Sequence, residues 1–95
     1  MIPRISSVVE LFQGHPERWT QTATARRADG TETEADDPQA VSFCIVGGCQ
    51  RVYGIGKAAA AILKIRDFCG TATVAEYNNT HSFEDIFAVV KEAAV

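Results

Sequence analysis

Apolar residues recur at helical spacing in several stretches of the chain. The first stretch repeats them with the i, i+3, i+4, i+7 period of a buried helix face, at Ile5, Val8, Val9 and Phe12. Pro3 suits a first helical position and Gly14 suits the residue that follows a last turn. The pattern therefore predicts helix 1 over residues 3–13.

Asp36-Asp37-Pro38 is typical of a helix start, with an acidic N-cap and proline at the first helical position. One face of the predicted helix 2 then carries Val41, Cys44, Ile45, Gly48, Cys49 and Val52. On this face a thiol acts as a small hydrophobe, and Gly47-Gly48 would let another backbone approach closely.

Gly54-Ile55-Gly56 predicts a turn, and helix 3 follows from Lys57 to about Cys69, closed by Gly70. Its inward residues are expected to be Ile55, Ala59, Ile62, Ile65 and Cys69, with Lys57 and Lys64 outward.

The stretch Thr71 to Tyr77 is predicted to be extended, and helix 4 follows it. Ser82 with Asp85 three residues later resembles a capping box. The expected buried face of helix 4 is Phe83, Ile86, Phe87, Val90 and Ala94.

Between helices 1 and 2 the pattern changes to an alternation of threonine with alanine or charge around Asp29-Gly30, a dipeptide suited to a tight hairpin turn. Trp19 is expected to anchor this hairpin on the helical core. The predicted fold is mainly α: a compact four-helix domain with one small β-hairpin at about residues 22–34, inserted between helices 1 and 2. Residues 1–95 are expected to form a single domain.

Composition supports a folded chain, with 46% hydrophobic and 22% charged residues. The N-terminal apolar cluster is too short for a signal peptide and no run is long enough for a membrane span, so we expect a cytoplasmic protein without membrane contact. Cys44, Cys49 and Cys69 are expected to be free thiols. They form no C-x-x-C pair and His15 and His81 are the histidines, so we expect neither a metal site nor a cofactor.

Charge is unevenly distributed around a net value of −3. One short stretch holds the acidic residues Asp29, Glu32, Glu34, Asp36 and Asp37, and a later stretch holds Arg51, Lys57, Lys64 and Arg66 with no acid between them. This asymmetry predicts an acidic surface and a modest basic patch, and each could also be only a solvated face.

The segment GIGKAAA matches the G-h-G-x-x-x-A pattern of a helix-hairpin-helix module at Gly54, Ile55, Gly56 and Ala60. In such a module the glycine turn frees backbone N–H groups for a phosphate, and Lys57, Lys64, Arg51 and Arg66 would add contacts. Weak nucleic-acid binding is therefore one alternative, and a glycine-rich turn between helices is the simpler interpretation.

A cysteine-dependent enzyme is a second alternative, because Cys44, His81 and Asn78 or Asn79 are the residue types of a cysteine-protease-like triad. The predicted position of Cys44 inside a helix, on its buried side, argues against an activated thiol. Asn78 and Asn79, with Thr80 and Ser82, could contact a ligand or only satisfy backbone groups at a turn.

Several separated motifs resemble a family of small bacterial and bacteriophage proteins of unknown function. They are Trp19, Ala25 to Gly30, Asp37-Pro38, Ala40-Val41, Phe43-Cys44, Gly47 and Tyr77-Asn78-Asn79. The usual pattern of that family is W, A-R-x-A-x-G, D-P-x-A-V-x-x-C-x-x-G-A and then W-N-D, and the resemblance covers about residues 19–94. Gly48, Tyr77 and Asn79 depart from it, where alanine, tryptophan and aspartate are usual. The resemblance implies a bacterial or phage setting and no particular activity.

Together these features favour a non-enzymatic protein-binding module over an enzyme. For a small acidic phage-type protein, one form is a modulator or inhibitor of a host or defence complex such as CRISPR machinery. The expected contact surface is the acidic hairpin and helix start, formed by Glu32, Glu34, Asp36 and Asp37. A protein partner is expected, with nucleic acid as the weaker alternative.

Overall fold

Five helices pack together beside a small sheet in residues 3–95, the part of the chain that this computed structural model describes. The five α-helices of this part are α1 (Val8–Phe12), α2 (Ile45–Tyr53), α3 (Ala58–Arg66), α4 (Val74–Thr80) and α5 (Phe83–Ala93). Its strands are β1 (Ala25–Arg27), β2 (Glu32–Thr33) and β3 (Ala40–Phe43), and a 3-10 turn covers Pro16–Arg18. The fold is thus mainly helical with a small sheet, although four helices and a hairpin were predicted.

Helix α1 is shorter than predicted because Ser7 caps it. The Ser7 hydroxyl accepts a hydrogen bond from the Glu10 N–H at 3.0 Å, so the helix begins at Val8 and not at Pro3. The predicted end is confirmed, since Gly14 follows the last turn with a φ of 73°.

The sheet is antiparallel with the strand order β2-β1-β3. Its β1 and β2 strands form the predicted hairpin, with Gly30 in the turn at a φ of 88°. The third strand was not predicted. It pairs Ala25 with Phe43, Arg26 with Ser42 and Arg27 with Ala40, so the register shifts between Arg26 and Arg27 and Val41 is the bulged residue, in β3.

The predicted helix start at Asp36-Asp37-Pro38 is wrong. The Asp37 carboxylate accepts from Arg27 Nε at 2.7 Å, from the Thr33 hydroxyl at 2.6 Å and from the Gln39 N–H at 2.9 Å. Asp37 therefore ties a turn to the hairpin in place of capping a helix, and the chain continues as strand β3.

Helix α2 begins seven residues later than predicted from Pro38, at Ile45, with Cys44 as its N-cap. The expected close approach is confirmed at Gly47, where a Cβ atom would lie 2.0 Å from the Thr24 carbonyl oxygen. The Thr24 carbonyl also accepts a hydrogen bond from the Cys44 N–H at 3.1 Å. Glycine at position 47 thus lets the loop before β1 pack against the first turn of α2.

Helix α3 agrees with the predicted position, but its inward face was only partly right. Ile65 and Cys69 are buried, whereas Ile55 and Ala59 are exposed. The face in contact with the core is supplied by Ala58 and Ala61 as well.

The stretch Thr71 to Tyr77 was predicted to be extended, yet α4 begins within it at Val74. A capping box starts this helix, with Thr73 and Glu76 each accepting from the backbone N–H of the other. The predicted start of the last helix is confirmed, since the Ser82 hydroxyl accepts from the Asp85 N–H at 3.2 Å.

A single buried cluster joins the helices to β1 and β3. Its largest fully buried apolar side chains are Phe12, Phe43, Leu11, Ile45, Ile65, Ile86, Val8 and Val90. The radius of gyration is 11.8 Å, close to the roughly 12 Å of a compact chain of this length. None of the helices in residues 3–95 has the length and apolar character needed to traverse a bilayer.

Candidate functional site

Asn78 is the one fully buried polar residue of residues 3–95, with 1% of its surface exposed. Its Oδ1 accepts from the Trp19 indole N–H at 2.7 Å and from the Ile45 N–H at 3.0 Å. Its Nδ2 donates to the Thr20 carbonyl at 3.0 Å and to Asn79 Oδ1 at 3.2 Å. The side chain therefore uses two acceptor and two donor positions, which is its full capacity. Asn78 joins the loop before β1, the start of α2 and helix α4.

Asn79 and Gln21 complete this network from the surface. Asn79 Oδ1 also accepts from the Thr22 N–H at 2.9 Å, where Thr22 has a φ of 63°. The Gln21 amide donates to the Asn78 and His81 carbonyls at 3.1 Å each. A threonine in the left-handed region is uncommon, and the bond from Asn79 holds it there.

An open cleft of about 370 Å³ lies beside this network. Its lining is Thr22, Ala23, Thr24, Glu32, Cys44, Val46, Ala75, Asn78 and Asn79. Three elements that are distant in sequence, namely the hairpin, the start of α2 and helix α4, thus meet around one depression. Cys44 and both asparagines of the sequence motifs line it, which makes this cleft the candidate functional site.

Cys44 lies at a helix N-terminus and not inside a helix, which corrects the prediction. The Gly47 N–H donates to its sulfur at 3.2 Å, so the thiol serves as the N-cap of α2. Burial raises the pKa of the Cys44 thiol and outweighs the backbone N–H groups that act in the opposite direction. The thiol is therefore protonated at neutral pH, and it does not have the lowered pKa of a reactive nucleophile.

The proposed triad is not assembled. The His81 ring stacks on Tyr77 with 3.7 Å between the ring centroids, and its Nδ1 lies 3.0 Å from the Tyr77 carbonyl and from the Thr80 hydroxyl. His81 does not line the Cys44 cleft, and no hydrogen bond joins it to Cys44 in the described part of the chain. Both asparagines are occupied in the network around Trp19.

No family model, curated protein or solved structure matches this chain. The resemblance to small bacterial and phage proteins stays a prediction. The geometry nevertheless gives its motif residues structural roles in this chain: Arg27 pairs with Asp37, Gly47 admits the Thr24 backbone, and Asn78 caps Ile45. Arg26, from the same motif, donates to the Thr20 hydroxyl and to the Gly30 carbonyl at 3.0 Å each.

The four acidic residues that were predicted to form the contact surface differ in their exposure. Glu32, Glu34 and Asp36 are exposed, whereas the Asp37 side chain is 13% exposed. The hydrogen bonds from Thr33, Gln39 and Arg27 lower the pKa of Asp37 to about 2. Asp37 is therefore a structural residue, and only the other three can present a charge to a partner.

Arg51, which was predicted to belong to the basic patch, is also used within the fold. The Arg51 guanidinium donates to the Ala35 carbonyl at 2.9 Å and to the Asp37 carbonyl at 2.6 Å, and it lies 5.5 Å from the centre of the Phe43 ring. Arg51 thus holds the loop before β3 against α2. This role was missed because its partners are carbonyl groups more than a dozen residues away.

The glycine turn lies between α2 and α3 as predicted, with Gly54, Gly56, Lys57 and Lys64 exposed. The Gly54 N–H is used within the fold, since it donates to the Gln50 carbonyl at 2.9 Å. Ala60, which a helix-hairpin-helix module places between its helices, is exposed here, and Ala58 and Ala61 pack inward. The turn therefore matches the module in sequence but not in helix packing.

All three cysteines are free thiols, as expected. Within residues 3–95, no three His, Cys, Asp or Glu side chains come together in a group that could hold a metal ion.

Two residues of the candidate surfaces, Gln21 and the exposed Leu63, were not predicted from the sequence. The signal for Leu63 was its place off the predicted inward face of helix 3.

Proposed function

We propose that this protein is a non-enzymatic binding protein that acts by contacting another protein. The observation that carries the proposal is the exposure of three large hydrophobic side chains at α3. Ile55 is 62% exposed, Leu63 57% and Phe68 45%, and each lies in α3 or within three residues of its ends. We infer that a partner protein covers these side chains, because removing large apolar side chains from water stabilises a complex.

The residues that could carry chemistry support the same conclusion. Cys44 caps a helix, and Asn78 spends all its hydrogen-bonding capacity inside the fold. A half-buried thiol with a raised pKa and a fully bonded amide offer no activated group to a substrate.

The exposed acids Glu32, Glu34 and Asp36 are the proposed electrostatic part of the contact. None of these three carboxylates takes part in a salt bridge within residues 3–95. Exposed carboxylates favour a basic partner and accelerate association at low salt. A modulator of a host or defence complex such as CRISPR machinery, whose nucleic-acid-binding surface is basic, is one form of this proposal.

The test is capture by the tagged protein from a nuclease-treated lysate of the organism that encodes it, with quantitative mass spectrometry. Two variants are compared with the wild type. In one variant Ile55, Leu63 and Phe68 are replaced by serine, and in the other Glu32 and Glu34 become glutamine and Asp36 becomes asparagine. We expect one stoichiometric protein whose recovery falls at least about tenfold in the first variant. In the second variant recovery should fall at low salt and change less at high salt.

Thermal unfolding of both variants provides the control, because these side chains are exposed and their loss should leave the fold intact. Recovery that is equal for the wild type and both variants, or no stoichiometric protein at all, would reject the proposal.

Nucleic-acid binding is the second candidate, favoured by the exposed Lys57 and Lys64 beside the glycine turn. It requires that Lys57→Glu with Lys64→Glu lowers the affinity for DNA and reduces its dependence on salt. Absence of DNA binding by the wild type at low salt would exclude it.

A further inference from the structure

The Cys44 cleft adjoins a second depression. This groove, of about 710 Å³, runs between α3 and the segment that leads into α4. Its lining is Val46, Ile62, Leu63, Arg66, Gly70, Thr71, Ala72, Thr73, Val74 and Ala75. Val46 and Ala75 line both depressions, so cleft and groove meet over an apolar saddle. We refer to cleft, saddle and groove together as the furrow.

The two ends of the furrow carry opposite charges. Glu32 is the charged residue that lines the cleft, and Arg66 is the charged residue that lines the groove. Both side chains are exposed, and neither belongs to an ion pair within residues 3–95. An occupant that spans the furrow would therefore meet a negative group at one end and a positive group at the other.

The surface between the charges suits a polypeptide. Val46, Ala75 and the exposed Leu63 provide apolar contacts. Thr24 in the cleft and Thr71 in the groove also line the furrow, whereas the hydroxyls of Thr22 and Thr73 are already hydrogen-bonded within the fold. A hydroxyl can donate to a backbone carbonyl or accept from a backbone N–H, which an extended peptide offers along its length.

We propose that the furrow binds an extended segment of a protein partner. This segment carries a basic side chain that meets Glu32, an acidic side chain that meets Arg66, and at least one apolar side chain between them. The inference rests on the proposed function and names the chemistry of the partner. Nucleic acid fits less well, because Glu32 repels phosphate and a single arginine compensates it.

The experiment uses a display library of random heptapeptides as the probe, selected against the intact protein. We expect enriched sequences that place an apolar residue between one basic and one acidic residue. An enriched peptide, labelled with fluorescein, is then titrated against Leu63→Ser and Arg66→Glu. Each variant should bind at least about tenfold more weakly. Replacing the acidic residue of the peptide by lysine should restore the affinity for Arg66→Glu. The exposed Glu92, in α5, provides the control variant Glu92→Lys, which should bind like the wild type.

Three results would overturn the proposal that the furrow binds a peptide segment. They are no enrichment above a bait-free selection, equal affinity for the wild type and both furrow variants, or no rescue by the charge-swapped peptide. Binding of a labelled single-stranded DNA 20-mer that is lost in Arg66→Glu would assign the surface to nucleic acid and also overturn it. The proposed function fails separately, when the lysate yields no partner that depends on the exposed α3 side chains. If such a partner is captured and no peptide is enriched, only the furrow is rejected.

Discussion

Asn78 and Asn79 are adjacent amides that differ in the hydrogen bonds they make. Replacing each by aspartate should therefore affect stability differently. A carboxylate at position 78 would lose both amide donors and place a charge in a site with 1% exposure. We expect Asn78→Asp to lower the free energy of unfolding by roughly 3 kcal/mol or more. Chemical denaturation followed by the fluorescence of Trp19, the single tryptophan, measures the change.

Asn79→Asp is the matched control. Asn79 uses its Oδ1 to accept from the Thr22 N–H and from Asn78 Nδ2, and a carboxylate oxygen can accept both bonds. We expect a change within about 1 kcal/mol, since only the acceptor is required. The family that the sequence resembles has aspartate at this position, so the substitution also asks whether that residue suits this fold. A large loss for both variants, or for neither, would contradict the network.

At the scale of elements, helix α2 packs against its surroundings through two glycines that tolerate a methyl group differently. A Cβ at position 47 meets the Thr24 carbonyl oxygen at 2.0 Å, which only a backbone shift can relieve. A Cβ at position 48 meets the side chains of Leu11 and Phe12 at 3.2 Å and 3.3 Å. We expect Gly47→Ala to cost about 3 kcal/mol or more. Gly48→Ala should stay within about 1 kcal/mol, because the gain in helix propensity offsets the tight contact. Denaturation midpoints compare them, and equal costs would contradict the packing of Thr24 on α2.

The turn that connects β2 to β3 should make the stability of the fold sensitive to acid. The pKa of Asp37 is about 2 in the folded protein, and an aspartate in an unfolded chain titrates near pH 4. Because the folded pKa is the lower one, the stabilisation is complete above pH 4 and is lost as the pH falls toward 2. We expect the wild type to lose thermal stability over this range more steeply than Asp37→Asn.

The hydroxyl of Thr33 makes the largest contribution to this pKa. Thr33→Val should therefore move the acid loss to higher pH and make it smaller. Melting curves recorded between pH 6 and pH 2 provide the measurement. Parallel profiles for the wild type and Asp37→Asn would show that the turn is not the acid-sensitive element.

The elements that the sequence predicts correctly are those whose signals are local. The Ser82 cap joins residues three apart, and the turn at Gly30 depends on one glycine. Strand β3 was predicted as helix because Asp37 finds its ion-pair partner ten residues away, in β1. Helix α4 was not predicted, although its start has a local signal, since Thr73-Val74-Ala75-Glu76 has the spacing of a capping box.

The candidate site was less predictable than the fold. Asn78 was singled out as a motif residue, but its partners Ile45 and Trp19 lie 33 and 59 residues away. Such pairs are set by tertiary packing and have no signature at short spacing. The exposure of Leu63 and the meeting of cleft and groove at Val46 are likewise properties of the assembled helices.

At the scale of the whole molecule, the reactivity of the three cysteines measures how well the fold protects the region around each thiol from solvent. Cys49 is fully buried in α2, and burial raises its pKa to about 12. Cys69 is buried with a raised pKa, and Cys44 is half-buried at the cleft. The thiolate is the reactive form, so both burial and the raised pKa slow alkylation.

We therefore expect iodoacetamide at pH 8 to modify Cys44 first, Cys69 more slowly and Cys49 last. Cys49 should react at least about a hundredfold more slowly than in the urea-unfolded chain, because it must wait for an opening of the fold. A time course read by peptide mass spectrometry gives the three rates separately, with the urea-unfolded chain as the reference. Cys49 reacting as fast as Cys44 would contradict the core. A Cys44 that reacts faster in the folded protein than in the unfolded chain would mean an activated thiol, and the cysteine-dependent enzyme would then replace the binding protein as the better interpretation.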